Sequence, residues 1–199
     1  MEVRDRIIQA ARKSFVLFGI RGVTMDQIAQ EAGVSKRTIY EIFADKGELL
    51  LACIEYMECD MEKHRQEIEN SSQNVIETMY RHSDFHIKML EDFNPLFFMD
   101  MQKFYPAAWD IIFNKFNQKK YHDIKRLLQV GLKQGLFRKD IHLEIATKVL
   151  LEQTKMAMTL DMLKGGKYSR KDIFNNLVIN YIRGISSESG LELLNKYYK

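Results

Sequence analysis

A chain of 199 residues with 46% hydrophobic side chains can bury a sizeable interior, as one large domain or as two lobes. Thirty Lys and Arg against 27 Asp and Glu leave a formal charge of +3, which permits nucleic-acid binding without arguing for it. The start has no signal-peptide core and no uncharged apolar run approaches a membrane span, so a cytoplasmic protein without a membrane partner is expected.

Period-2 alternation is almost absent and apolar spacings of three and four dominate, which predicts an all-α fold of nine to ten helices. The first runs from about Val3 to Phe18, with Ile7, Ala11, Phe15 and Phe18 on its inner stripe and Gly19 as its stop. Thr24-Met-Asp-Gln27 is a capping box opening a short second helix through Ala32. Ser35 caps a third, ending near Phe43, and a fourth follows Asp45 and continues to about Glu69. Helices are then predicted over about 75–91, from Asn94-Pro95, from Pro106 to Gly135, from Asp140 to about Lys164, from the Ser169-x-x-Asp172 box to about Gly184, and over 191–198. Gly165-Gly166 reads as a loop.

Between the second and third helices stands Ala32-Gly-Val-Ser35, a short glycine turn joining two helices, the arrangement of a helix-turn-helix. Gly33 supplies the left-handed backbone, Val34 fills the corner, and Ile39 and Phe43 face inward four residues apart. Lys36, Arg37, Thr38, Tyr40 and Glu41 are left on outer faces. Lys36 and Arg37 suit guanine edges and Thr38 a thymine methyl, while Tyr40 and Ser35 suit phosphate oxygens. Thr24 and Lys46 stand at helix starts, where free amides favour phosphate. Glu41 is read as an intrahelical partner of Arg37. The plain alternative is a tight corner with a solvated charged face. The first 50 residues hold eight basic and seven acidic side chains, so any phosphate binding here depends on placement and not on bulk charge.

Residues 3–51 resemble the amino-terminal domain of the TetR family of transcriptional regulators. The resemblance rests on Ala11, Phe15, Phe18-Gly19, Gly22-Val-Thr24, Ile28-Ala29, Ala32-Gly-Val-Ser35, Thr38-Ile-Tyr40, Phe43, Lys46 and Leu49-Leu50. It implies a helix-turn-helix at about 24–43 within a DNA-binding domain of residues 1–46. Residues 47–199 would then form a helical domain for dimerisation and for binding a small-molecule inducer. Ile42 stands where members often carry a polar residue, so it is left off the site.

The two long carboxy-terminal helices carry the stripes Ile145, Val149, Met156, Leu160, Leu163 and Ile173, Leu177, Tyr181, Ile182. From these, Val149, Met156, Leu160, Ile173, Leu177 and Tyr181 are expected at a homodimer interface, although such stripes equally suit a monomer's interior. Between Met89 and Phe116, the residues Phe93, Phe97, Phe98, Met101, Phe104, Trp109 and Phe113 either line a pocket for a hydrophobic or amphipathic ligand or make ordinary core. His82 and His86 have metal spacing but no third ligand, so no metal and no cofactor are expected. Cys53 and Cys59, six apart, are read as reduced thiols. No nucleophile motif or phosphate loop argues for an enzyme. The expectation is a ligand-responsive regulator of a palindromic DNA operator, most simply a repressor. An activator or ligand-independent regulator of the same fold, or a binding protein with a vestigial helix-turn-helix, are the alternatives.

Overall fold

The computed structural model of the chain describes residues 2–112, 116–158 and 168–198. In chain order the helices are α1 (Val3–Phe18), α2 (Met25–Ala32), α3 (Lys36–Ile42), α4 (Lys46–Ser71), α5 (Val75–Glu91), α6 (Pro95–Phe104), α7 (Pro106–Asp110) and α8 (Phe116–Lys133). They continue with α9 (Leu143–Met158), α10 (Arg170–Phe174), a π-helical stretch (Asn175–Ile179), α11 (Asn180–Ile185) and α12 (Glu188–Tyr197). Among the described residues there is no β-strand, only one antiparallel bridge between Phe137 and Ser186. The fold is all-α. No described helix is long and apolar enough to cross a membrane.

Contacts divide the chain into two compact units, Met1–His64 with Asp92–Lys115, and Arg65–Glu91 with Phe116–Lys199. In the first, Ile7, Ala11, Phe15, Ile28, Ile39 and Leu50 close a core that excludes water almost completely. Ile7, Ala11 and Phe15 recur every four residues along α1, and burying a side chain the size of Ile, Leu or Phe is worth roughly 1.5–3 kcal/mol. Phe18 does not join that stripe. Helix α1 ends at Phe18, whose ring is 62% exposed, and the turn at Gly19 (φ 79°) delivers Ile20 to the core instead.

The aromatic-rich segment packs in this same unit, against α1. The Asn94 side chain caps α6 by accepting from the Leu96 amide, while its backbone N–H donates to the Val16 carbonyl at 2.8 Å. The Asp100 carboxylate accepts from the Arg21 amide at 2.7 Å, and the Arg21 guanidinium lies 4.3 Å from the Phe104 ring centre. These contacts join residues nearly eighty positions apart in sequence.

The second unit has its own core, in which Ile76, Leu128, Phe137, Leu150, Val178 and Ile182 are buried together. Gly131, inside α8, is required there: a Cβ on it would lie 2.3 Å from the Phe137 ring. Several helix bounds differ from those the sequence predicts. Asp140 does not open α9, because both its oxygens are taken by the Arg138 guanidinium at 3.0 and 2.7 Å, and the helix starts at Leu143. Helix α12 starts at Glu188 and not Leu191, since Ser187 caps it by accepting from the Gly190 amide. Helix α4 reaches Ser71, where the Ser71 hydroxyl folds back onto the Glu67 carbonyl at 2.6 Å. The predicted helix from Pro106 to Gly135 is described as α7 and α8. The end predicted near Lys164, the Gly165-Gly166 loop, Phe113, Leu160 and Leu163 lie outside the described residues.

Candidate nucleic-acid interface

Helices α2 and α3 are set by short-range signals. Thr24 caps α2: its hydroxyl accepts from the Gln27 amide at 3.2 Å, and the Gln27 side chain accepts from the Thr24 amide at 2.7 Å. Gly33 ends α2 in the left-handed region (φ 65°, ψ 40°), where a Cβ would strain the backbone. Ser35 caps α3 by accepting from the Thr38 amide at 3.0 Å. Ile39 and Phe43 then sink into the core and fix the rotation of α3 about its axis.

That rotation decides which side chains face outward. Lys36, Arg37, Tyr40 and Glu41 are exposed, Tyr40 at 47%. Thr38 is half-buried, with its hydroxyl 2.8 Å from that of Ser35. Arg37 pairs with Glu41 at 2.9 Å, the expected contact four residues along the helix. Lys36 reaches across the turn to Asp26 on α2 at 2.7 Å, and this hydrogen bond raises its pKa. The tether joins side chains on two different helices, so no spacing within one helix signals it.

Thr24 is exposed at the start of α2 with its backbone amide and hydroxyl already engaged by Gln27. Lys46 is half-buried; its ammonium donates to the Val23 carbonyl, lies 5.6 Å from the Phe15 ring centre, and has its pKa lowered by burial. Of the seven residues singled out in the sequence, Ser35, Lys36, Arg37, Thr38 and Tyr40 come together on one short helix and its cap. Thr24 and Lys46 flank the Val23 carbonyl.

The other expected sites are distributed differently. Phe93, Phe97 and Phe98 pack on one another with centroids 5.2–5.5 Å apart, and Met101 is fully buried. Trp109 is half-buried and Phe104 is surface-exposed against Arg21. On the carboxy-terminal helices Met156 is 45% exposed, Val149, Leu177 and Tyr181 are half-buried, and Ile173 is buried within the chain itself. Cys53 and Cys59 are both free thiols; burial pushes the Cys53 pKa up to about 12.

A capped helix pair about a left-handed glycine, with a basic and hydroxylic face turned outward, defines a helix-turn-helix protein. Residues 7–53 match the family described as bacterial regulatory proteins, tetR family. The HTH-type transcriptional regulator SrpR of Pseudomonas putida is 45% identical over 53 residues, covering 27% of this chain and 25% of SrpR. The aligned stretch thus spans about a quarter of that relative, and 40% of a second P. putida regulator, TtgW. Among solved structures, a TetR-family regulator from Agrobacterium tumefaciens superposes with a TM-score of 0.72 at 15% identity, over 93% of this chain and 98% of its own. FadR of Bacillus subtilis, solved in complex with stearoyl-CoA, gives 0.66 at 19% identity over 91% and 98%. Residues 7–53 thus match the tetR-family amino-terminal domain, and the fold over nearly the whole chain is that of solved TetR-family regulators.

Proposed function

We propose that the protein is a dimeric, ligand-responsive DNA-binding regulator, acting as a repressor of a palindromic operator in the cytoplasm and catalysing no reaction. The observation that carries this reading is the exposed Lys36, Arg37 and Tyr40 face of α3, locked by the buried Ile39 and Phe43 beneath it. Lys36, Arg37 and Thr38 contact base edges in the major groove; Thr24, Ser35, Tyr40 and Lys46 contact phosphate. One seven-residue helix reads too few bases, and a two-fold dimer doubles the site. The exposed Met156, with Val149, Leu177 and Tyr181, supplies apolar surface for that dimer.

Residues 1–46 carry DNA reading and residues 47–199 carry regulation. The inducer is hydrophobic or amphipathic, met by the Phe93, Phe97, Phe98 and Met101 cluster; the stearoyl-CoA held by FadR of B. subtilis is consistent with this chemistry. Its signal reaches the reading head through α4, whose Leu49 and Leu50 are fully buried beneath it. Only a ligand with different affinity for two head spacings can move that equilibrium. Selection of bound fragments from sheared genomic DNA by the purified protein tests the reading. One shared palindrome supports it; fragments without shared sequence contradict it. A promoter reporter in a deletion strain then separates repression, where output rises, from activation, where it falls.

A further inference from the structure

Within the second unit, α5, the α10–α11 helix and α12 surround a cavity of about 160 Å³. That is close to the engineered cavity of about 150 Å³ that admits benzene, so a single six-membered ring fits by volume. None of the residues enclosing it belongs to the aromatic 93–109 segment or to the reading helix. Its walls combine the rings of Tyr80, Tyr197 and Tyr198 with Ile87 and Ile179, and are closed by polar groups. This is the make-up of a small-molecule site, in which apolar surface holds a ligand and a few polar groups orient it.

The backbone here departs from the regular helix. The π-helical stretch Asn175–Ile179 widens one turn, the Asn180 amide donating to the Asn175 carbonyl, and the side chains at both its ends, Asn175 and Asn180, face the cavity. Single π turns within α-helices recur at functional sites. The Tyr198 hydroxyl, beside that of Ser83, is buried and makes no hydrogen bond of ordinary geometry. Burial raises its pKa, so it remains a protonated donor.

The charges decide what kind of ring. Asp84 is neutralised by Lys88 at 2.8 Å. Arg183 is held in place by donating to the Asn195 side chain and, at 3.2 Å, to the Tyr198 carbonyl, both neutral acceptors, so the only carboxylate in the cavity wall to offset its charge is the Lys88-paired Asp84. Lys171 adds a second cation at the rim. A tyrosine cage for an ammonium ligand needs open ring faces. Here Tyr80 and Tyr197 stack at 5.2 Å, 23° from parallel, and Tyr198 meets Tyr80 edge-on at 5.0 Å, so those faces are occupied by one another. We infer that this cavity is a binding site for a small aromatic carboxylate, the ring among the tyrosines and the carboxylate met by Lys171, Arg183 and the Tyr198 hydroxyl. It is a second ligand site, independent of the inducer reading above.

Calorimetric titration of the full chain with benzoate, benzamide and benzylammonium tests it with no DNA present. Benzoate is expected to bind one per chain, benzamide about tenfold more weakly for want of the charge, and benzylammonium not at all. Lys171→Gln, an exposed change, is expected to weaken benzoate about fivefold or more and to leave thermal unfolding of the free protein unchanged. Tyr198→Phe removes only the donor and weakens benzoate alone. No benzoate binding, equal binding of all three probes, or benzoate binding indifferent to both substitutions would overturn the assignment.

Discussion

The reading head and the second unit are built from opposite arrangements of charge. In α1–α3 the buried residues are apolar, and the ionic contacts Lys13–Glu31, Lys36–Asp26 and Arg37–Glu41 lie at the surface. In the second unit ionic groups reach inward. Arg65 pairs with Asp123, Arg126 with Glu69 at 2.7 Å, and His82 stands 3.8 Å from Glu69, with most of these side chains less than a quarter exposed. The difference teaches where each unit's chemistry is placed. A rigid apolar plug serves to hold a polar face outward against a charged polymer. Buried charges are costly unless paired, and here Arg65 and Arg126 each have a carboxylate partner.

The comparison breaks first where the plug is removed. Phe15→Ala empties a fully buried position and is expected to cost about 3–5 kcal/mol, measured by chemical unfolding, with loss of DNA binding. Gly131→Ala forces a methyl against Phe137 and is expected to cost about 1–3 kcal/mol while leaving the sequence preference of the head unchanged. Acid should separate the units as well. Burial lowers the pKa of His86 to about 3 from 6.5, with the Lys120 charge adding to the effect, and burial lowers that of His82 despite Glu69. Below about pH 6.5 the unfolded chain therefore binds protons that the folded chain does not, so stability falls with acidification through this window. A urea midpoint that drops between about pH 7 and 5, and drops less in His86→Leu, is expected. The smallest effect is the cap: Thr24→Ala should cost about 1 kcal/mol in the head alone.

The same contrast explains how much could be read from the sequence. Thr24-x-x-Gln27, Gly33, Ser35 and the Ile39/Phe43 spacing act within four residues of themselves, so the elements they specify were legible and the face of α3 followed from them. Asp140 looked like a helix cap and was not, because its partner Arg138 outcompetes the amides. Phe18 continued an apolar period to the last residue of the helix, where its side chain is exposed. The docking of Asp100 on the Arg21 amide, the Tyr80–Tyr197 stack and the slot at Gly131 all join residues remote in sequence, and no local pattern encodes them. The Lys36–Asp26 tether was hidden for a simpler reason: two exposed charges ten apart on different helices share no period.

The most direct test of base reading by α3 is a binding titration at fixed salt. Wild type, Lys36→Ala and Lys46→Ala are each measured against the selected palindrome and against a scrambled duplex of the same composition. Loss of Lys36 is expected to cut the ratio of the two affinities by about ten- to a hundredfold, the worth of one bidentate base contact, while loss of Lys46 lowers both affinities alike. Equal losses on both duplexes for Lys36→Ala would contradict the claim that the outward face of α3 reads sequence.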